Sequence, residues 1–182
     1  MQTLEEILTN TAGWLFEEEA RLLHRYAGQV IAPSVIVEIG SYRGRSTLVL
    51  AHGSTVPIYA IDPHIVSPGD DFQFGDADRA AWTANVHGSG MADRIKPINL
   101  PSADAARAWS LPIGLLWIDG AHSCEAVCAD LAGYVRFVVK GGCVALHDST
   151  APQIIEAFQP WIDMGVLEFE SFSVLTTVLR KR

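Results

Sequence analysis

Cysteine is scarce in this sequence, with three among 182 residues. So odd and sparse a set gives no disulfide framework, and the chain reads as a protein of a reducing cytoplasm. Charge is thin as well, at 19% Asp, Glu, Lys and Arg against about a quarter in ordinary domains. Basic residues are the minority even there, thirteen against twenty-one acidic ones, for a net charge of −8 and a pI near 5.1. A chain of that sign repels phosphate backbones and anionic lipid, which argues against nucleic acid and membrane surfaces as partners. No apolar run exceeds strand length, and the N-terminus (MQTLEEILTN) is acidic, so neither a membrane span nor a signal peptide is expected. Repeats, low-complexity tracts and composition breaks are lacking too, so residues 1–182 are read as one domain. What the chain has is apolar bulk: 49% of it is AVILMFWYC. A chain of this length can bury roughly 70% of its extended surface and needs no staple to fold.

The pattern of that bulk points to a layered α/β fold. Thr3 and Glu6 have capping-box spacing and open a short helix. Apolar residues from Trp14 to Ala27 recur at roughly helical spacing. From Val35 onward, short β-branched runs alternate with longer helical stretches: Val35–Ile39, Ile58–Ile61, Ile95–Leu100, Gly114–Ile118 and Cys143–Leu146. These runs are apolar on both faces, as in central strands of a parallel sheet covered by helices. Pro152 suits the first turn of a helix capped by Ser149 or Thr150 and running through Phe158. Leu167–Ser173 and Val174–Arg180 read as two strands with almost no connector, too little for a parallel crossover. Five βα units and a terminal hairpin make a doubly wound sheet.

In such a sheet a ligand lies at the C-terminal ends of the strands, so the residues after each strand carry the chemistry. The first strand runs into Glu38-Ile39-Gly40-Ser41-Tyr42-Arg43-Gly44, which is E-x-G-x-x-x-G. This is not the G-x-G-x-x-G of a dinucleotide fold, and a carboxylate beside the turn favours a ligand with an ammonium group over a diphosphate. The alternative is a tight strand–helix turn with a solvated Glu38. Asp62 ends the second strand, about 20 residues past the turn, where doubly wound folds grip ribose hydroxyls. It is otherwise a turn-initiating Asp before Pro63. Ser102 is most simply a helix N-cap, with an adenine contact as its second reading. The fourth strand ends in Asp119-Gly120-Ala121-His122 and the fifth in His147-Asp148. Two carboxylates and an imidazole at adjacent strand ends make either a cation site or acid–base chemistry; otherwise Asp119 and Asp148 cap the next helices.

Four segments in this order, Val37–Thr47, Ile61–His64, Trp117–Ser123 and Gly141–Asp148, resemble class I S-adenosylmethionine-dependent methyltransferases. The likeness is to the small O-methyltransferases related to macrocin O-methyltransferase and the cephamycin-cluster methyltransferase. It spans about Gly13 to Arg180. It implies strand order 3-2-1-4-5-7-6 with strand 7 antiparallel, a Rossmann-like core over 31–182, and an N-terminal helical lid over 1–30 with Trp14 as a contact. By the same resemblance, Glu38 and Gly40 face the methionine moiety, and Ser41, Tyr42 and Gly44 belong to the turn beneath the cofactor. Asp62 holds the ribose, His64 packs near the adenine and Asp119 lies beside the methionine amino group. In metal-using relatives the Asp119 position also binds a divalent cation, which makes Asp119 and Asp148 the expected ligands of Mg2+ or a similar ion. Those relatives commonly end the fifth strand in two acidic or amide residues, where this chain has His147-Asp148, so the rival is a metal-free site with His122 or His147 as general base.

The expected function is O-methylation of a small-molecule hydroxyl, with a homodimer left open. The alternatives are a non-catalytic cofactor-binding protein and a nicotinamide-dependent oxidoreductase, which lacks here both its glycine fingerprint and a Tyr-x-x-x-Lys pair. The segment Ser67–Asp76, with Phe72 and Phe74, reads as a lid or as a plain loop. Cys124 and Cys128 share a helix face and, with no second pair for zinc, read as small core residues.

Overall fold

The computed structural model describes residues 2–65 and 75–182. Phe72, Phe74 and most of the segment between the second strand and its helix therefore lie outside the described residues. The elements in chain order are α1 (Leu4–Asn10), α2 (Glu17–Ala27), β1 (Val35–Ile39), α3 (Arg45–Gly53), β2 (Ile58–Ile61), α4 (Asp76–Gly88) and β3 (Ile95–Ile98). Then follow α5 (Ser102–Arg107), β4 (Ile113–Ile118), α6 (Cys124–Tyr134), β5 (Val138–Leu146), α7 (Pro152–Asp163), β6 (Leu167–Ser173) and β7 (Thr176–Lys181). The seven strands form one sheet in the order β3-β2-β1-β4-β5-β7-β6. Pairing is parallel from β3 to β5, and β7 runs antiparallel to both β5 and β6. Order and direction are those the resemblance implied. No helix among the described residues is long and apolar enough to cross a membrane.

Strand alternation divides the core into two layers. Ile36, Ile58, Leu115, Trp117, Cys143, Ala145 and Val178 face α1 to α4, joining Ile7, Leu23, Leu48 and Trp82. Val37, Ile39, Leu116, Ile118, Val144, Leu146 and Leu179 face the other way, against Ala105, Leu131, Tyr134, Ile154 and Phe158 of α5 to α7. Each large side chain taken fully out of water contributes about 1.5–3 kcal/mol.

Several boundaries differ from the sequence reading. The second helix starts at Glu17 rather than Trp14, because Phe16 stays extended and its N–H is held by the Glu19 carboxylate at 3.1 Å. β5 begins at Val138, five residues before Cys143; Gly141, at φ +79°, lets the strand slip register between Ile113↔Val138 and Leu115↔Cys143. Ser102 is the first residue of α5, not its cap, which is Pro101. Neither Ser149 nor Thr150 caps α7; the cap is Ala151, and the Ser149 hydroxyl instead meets the Leu175 carbonyl and Thr177 Oγ1. His24 and His52, on α2 and α3, are half-buried with their rings 3.0 Å apart, Nε2 to Nδ1.

Candidate active site

The backbone ladder runs one residue past the ends of β1, β4 and β5, and that extension builds the site. Gly40 N–H donates to Ile61 O, Asp119 N–H to Ile39 O, and His147 N–H to Ile118 O, at 2.8–3.0 Å. Gly40, Asp119 and His147 therefore stand side by side. Because strand side chains alternate, Glu38, Asp119 and His147 continue the rows of Ile36, Trp117 and Ala145 toward the α2–α3 layer.

Gly40 and Gly44 make the turn after β1 possible, for a reason internal to the protein. Gly40 has φ +85°, and a Cβ there would lie 2.1 Å from the Asp119 carbonyl oxygen. Gly44, at φ +91°, opens α3 and leaves room for the Trp82 ring, which a Cβ would meet at 3.3 Å. In both cases the missing side chain makes space for the chain itself. Between them, Ser41 and Tyr42 donate their backbone N–H groups to Asp62 Oδ2 at 3.0 and 2.8 Å. Asp62 Oδ1 accepts from His64 N–H at 2.8 Å, and His64 Nε2 lies 2.7 Å from the Tyr42 carbonyl. Asp62 thus joins the end of β2 to the turn after β1, and His64 is buried against that same turn. Trp14 stacks on Tyr42 with ring centroids 4.9 Å apart, at the outer side of the turn.

Glu38 is fully buried and accepts hydrogen bonds from the Ser46 and Thr47 hydroxyls, both at 2.5 Å. Burial raises its carboxyl pKa to about 8, against the lowering effect of the two hydroxyls and with help from the charges of Asp119 and Asp62. The folded state therefore keeps a proton that the unfolded chain releases near its ordinary value of 4.5. Stability should fall as pH rises from about 4.5 to about 8 and stay reduced above that. Glu38→Gln, neutral at every pH, should flatten this part of the stability curve. Urea melts at pH 5, 7 and 9 check it; an unchanged slope would mean that Glu38 ionises freely.

The ends of β4 and β5 carry the densest cluster. His147 Nδ1 is 3.1 Å from Asp119 Oδ1 and 3.4 Å from Asp148 Oδ2. His122 Nε2 is 3.1 Å from Asp148 Oδ2 and 3.7 Å from Asp119 Oδ1. A third carboxylate comes from a helix: Glu19 of α2, fully buried, puts Oε2 3.4 Å from His147 Nε2. Its Oε1 accepts from Leu175 N–H at 3.0 Å and from the Thr176 hydroxyl at 2.8 Å, tying α2 to the β6–β7 turn. The contacts to His147 have ion-pair distance without directed hydrogen-bond angles, since both ring nitrogens lack a hydrogen-bond partner of good geometry. Burial works against an imidazolium there, but Asp119, Glu19 and Asp148 outweigh it and hold His147 well above the usual histidine range. His122 is raised too, chiefly by Asp119, while its side chain remains 46% exposed. Burial alone would raise Asp119 and Glu19; their histidine neighbours bring both below the ordinary carboxyl value.

The structure thus brings Asp119, His122, His147 and Asp148 together, and neither aspartate caps a helix: Ser123 caps α6 and Ala151 caps α7. Ser102 is engaged elsewhere, its carbonyl accepting from the Tyr134 hydroxyl at 2.8 Å and its side chain hydrogen-bonding Asp130. Glu19 is the residue the sequence reading passed over. Its signal was present: a carboxylate four residues before Leu23 and seven before Tyr26, on the apolar stripe of α2.

Solved structures share this fold across nearly the whole chain. An SAH-bound methyltransferase from Podospora anserina superposes with a TM-score of 0.71 at 16% identity, over 98% of this chain and 86% of that one. An O-methyltransferase from Bacillus cereus in complex with SAH gives 0.67 at 15% identity, over 98% and 90%. An rRNA methylase from Streptococcus thermophilus gives 0.68 at 14% identity, over 93% and 99%. In sequence, protein R132 of Acanthamoeba polyphaga mimivirus is 28% identical over 128 residues, which is 66% of this chain and 56% of the viral protein. The chain thus matches little more than half the length of that curated relative. The family model described as a methyltransferase domain matches residues 37–149. That stretch runs without interruption from β1 through the glycine turn, Asp62 and Asp119 to His147-Asp148, the same residues that the sheet gathers at its C-terminal edge. On that match, which takes in well over half of its residues, the chain belongs to the methyltransferase-domain family.

Proposed function

We propose that this protein transfers the methyl group of S-adenosylmethionine to a hydroxyl oxygen of a small molecule. The observation that carries this reading is the convergence of carboxylates at one sheet edge. Asp62 and Asp119, at the ends of β2 and β4, both lie within electrostatic reach of Glu38, which stays protonated at the end of β1 and leaves the charge to the aspartates. Asp119, Asp148 and Glu19 have only imidazoles as their ion-pair partners among the described residues. An edge of that charge suits a ligand carrying a sulfonium and an ammonium, and disfavours the diphosphate of a nicotinamide cofactor. The net charge of −8 favours a small acceptor over RNA.

The sulfonium supplies an already activated methyl group, which leaves the protein to align the reactants and to remove the acceptor's proton. His122 fits the role of proton acceptor, being part-exposed beside Asp119 and Asp148, while His147 is sealed behind it and kept protonated by three carboxylates. Asp62 suits the ribose hydroxyls, with its backbone bonds setting the turn on which the cofactor would rest. Asp62→Ala should weaken S-adenosylhomocysteine binding by about 1.5–3 kcal/mol, the usual loss for a charge-assisted partner. An unchanged dissociation constant in calorimetric titration would remove Asp62 from the ribose site.

A second reading has a divalent ion at the same edge. Asp119, His122 and His147 each offer a donor atom, all within 4.8 Å of one another. This nitrogen-rich set suits manganese, iron or zinc better than the two-carboxylate magnesium site read from the sequence. Glu19 behind His147 is the outer carboxylate that orients a metal-bound imidazole. When bound, such an ion would lower the pKa of an acceptor hydroxyl.

Titration with S-adenosylmethionine, S-adenosylhomocysteine and NAD tests the cofactor, and turnover of a labelled methyl on phenols, catechols and glycosides tests the acceptor. Binding of NAD without the sulfonium would overturn the reading. Tight sulfonium binding with no turnover on any acceptor would favour a non-catalytic binding protein.

A further inference from the structure

The two cysteines of α6 are not enclosed in the core: Cys128 is exposed and Cys124, half-buried, packs against the core from outside, whereas Cys143 on β5 is buried. Their Sγ atoms lie 3.8 Å apart, one helical turn from each other on the same face. A helix holds the Cβ atoms of such a pair about 5–6 Å apart. A disulfide needs roughly 3.5–4.5 Å between Cβ atoms, so the helix opposes direct sulfur–sulfur bonding. The sulfur spacing instead matches a bridging centre. Two thiolates about 2.3 Å from one atom stand roughly 3.3 Å apart at a pyramidal centre and roughly 3.8 Å apart at a tetrahedral one, so a small side-chain rotation brings this pair onto either. Among the described residues, no third cysteine, histidine or carboxylate joins the pair at ligand spacing; the one such cluster is Asp119, His122 and His147. The protein therefore offers two thiols, already aligned, and no further ligand. Burial, the neighbouring Cys128 and the negative charge of Glu156 on α7 all raise the Cys124 thiol.

We propose that Cys124 and Cys128 form a two-thiolate binding site for a thiophilic centre that requires two sulfur ligands, of the class of monosubstituted trivalent arsenic. The reaction with an organoarsenic oxide is balanced without an oxidant. Two S–H bonds and the arsenic–oxygen bond break, two arsenic–sulfur bonds form, and one water leaves with the oxygen and both protons. Arsenic stays trivalent and the helix keeps its fold.

Phenylarsine oxide added to the folded full chain is the probe, read by intact mass under native conditions. One arsenical per chain is expected, removed by a small 1,2-dithiol. Cys124→Ser and Cys128→Ser should each weaken binding about 10²-fold or more, because the second attachment is then no longer intramolecular. Cys143→Ser should bind as the parent does. Far-ultraviolet circular dichroism on each variant separates lost ligation from lost folding. Equal binding by Cys128→Ser, or an adduct seen only after denaturation, would overturn the proposal. None of these readouts depends on methyl transfer, so the site stands or falls apart from the proposed activity.

Discussion

Gly40→Val should leave little folded protein. The first valine carbon would have to occupy a point 2.1 Å from the Asp119 carbonyl oxygen, 2.5 Å from its carbon and 2.7 Å from Gly120 Cα. All three are backbone atoms at the end of a central strand, so no side-chain rotation relieves the clash. The position also has φ +85°, which a β-branched residue scarcely adopts. Backbone strain of about 1–3 kcal/mol adds to a similar amount or more from overpacking, for a cost of about 2–6 kcal/mol, toward the upper end because only backbone could move. Against a whole-domain stability of about 5–15 kcal/mol, that should appear as aggregation or as a large drop in urea midpoint. Gly90→Ala is the control. Gly90 has a similar φ of +75° but nothing within 4 Å of its added carbon, so it should lose only about 1 kcal/mol. If both variants unfold at the same urea concentration, the close approach of β1 and β4 is not what makes Gly40 necessary. The resemblance sets Gly40 facing the methionine moiety; in the structure the room its missing side chain leaves is taken by the Asp119 backbone.

The other large effect is on rate. With His122 as proton acceptor, His122→Asn should lower turnover by about 10²–10⁴ while leaving S-adenosylhomocysteine affinity nearly unchanged. Because Asp119 and Asp148 raise the His122 pKa above 6.5, the base form accumulates only as pH climbs past that value. The rate should therefore rise with pH through a limb above 6.5, and this limb should vanish in the variant. Chelation separates the two readings of the site: EDTA should change little if His122 acts alone. Loss of turnover in EDTA, restored by manganese or magnesium, would transfer the role to an ion. His147→Asn is a poor way to choose between them. It removes the cation from among Glu19, Asp119 and Asp148, and an unpaired buried carboxylate costs about 3–5 kcal/mol of stability whatever the mechanism.

Strand identity was legible because buried central strands must be apolar on both faces, and β1, β2 and β4 are written that way. The near absence of a connector between the last two strands left only an antiparallel pairing, although the turn itself, Val174-Leu175, falls where the second strand was read to begin. The glycine turn, Asp62, Asp119 and His147-Asp148 were legible as strand-end residues, since in a parallel sheet those ends meet along one edge. Helix starts were less legible. Phe16, Pro101 and Ala151 cap α2, α5 and α7 without a side-chain oxygen, and the serines nearby are drawn into other contacts.

The layered sheet and its terminal antiparallel hairpin follow from residue order alone, because periodicity and turn spacing are local properties, and the four strand-end segments were picked out by their likeness to a known family. Three features arise only once the chain is packed: Glu19 reaches His147 from near the opposite end of the sequence, Gly40 is empty for the sake of Asp119, and the α6 thiols are not enclosed in the core. Each of these depends on which surfaces of distant elements are pressed together. A one-dimensional pattern records the face a residue takes on its own helix or strand, and not the group waiting on the other side.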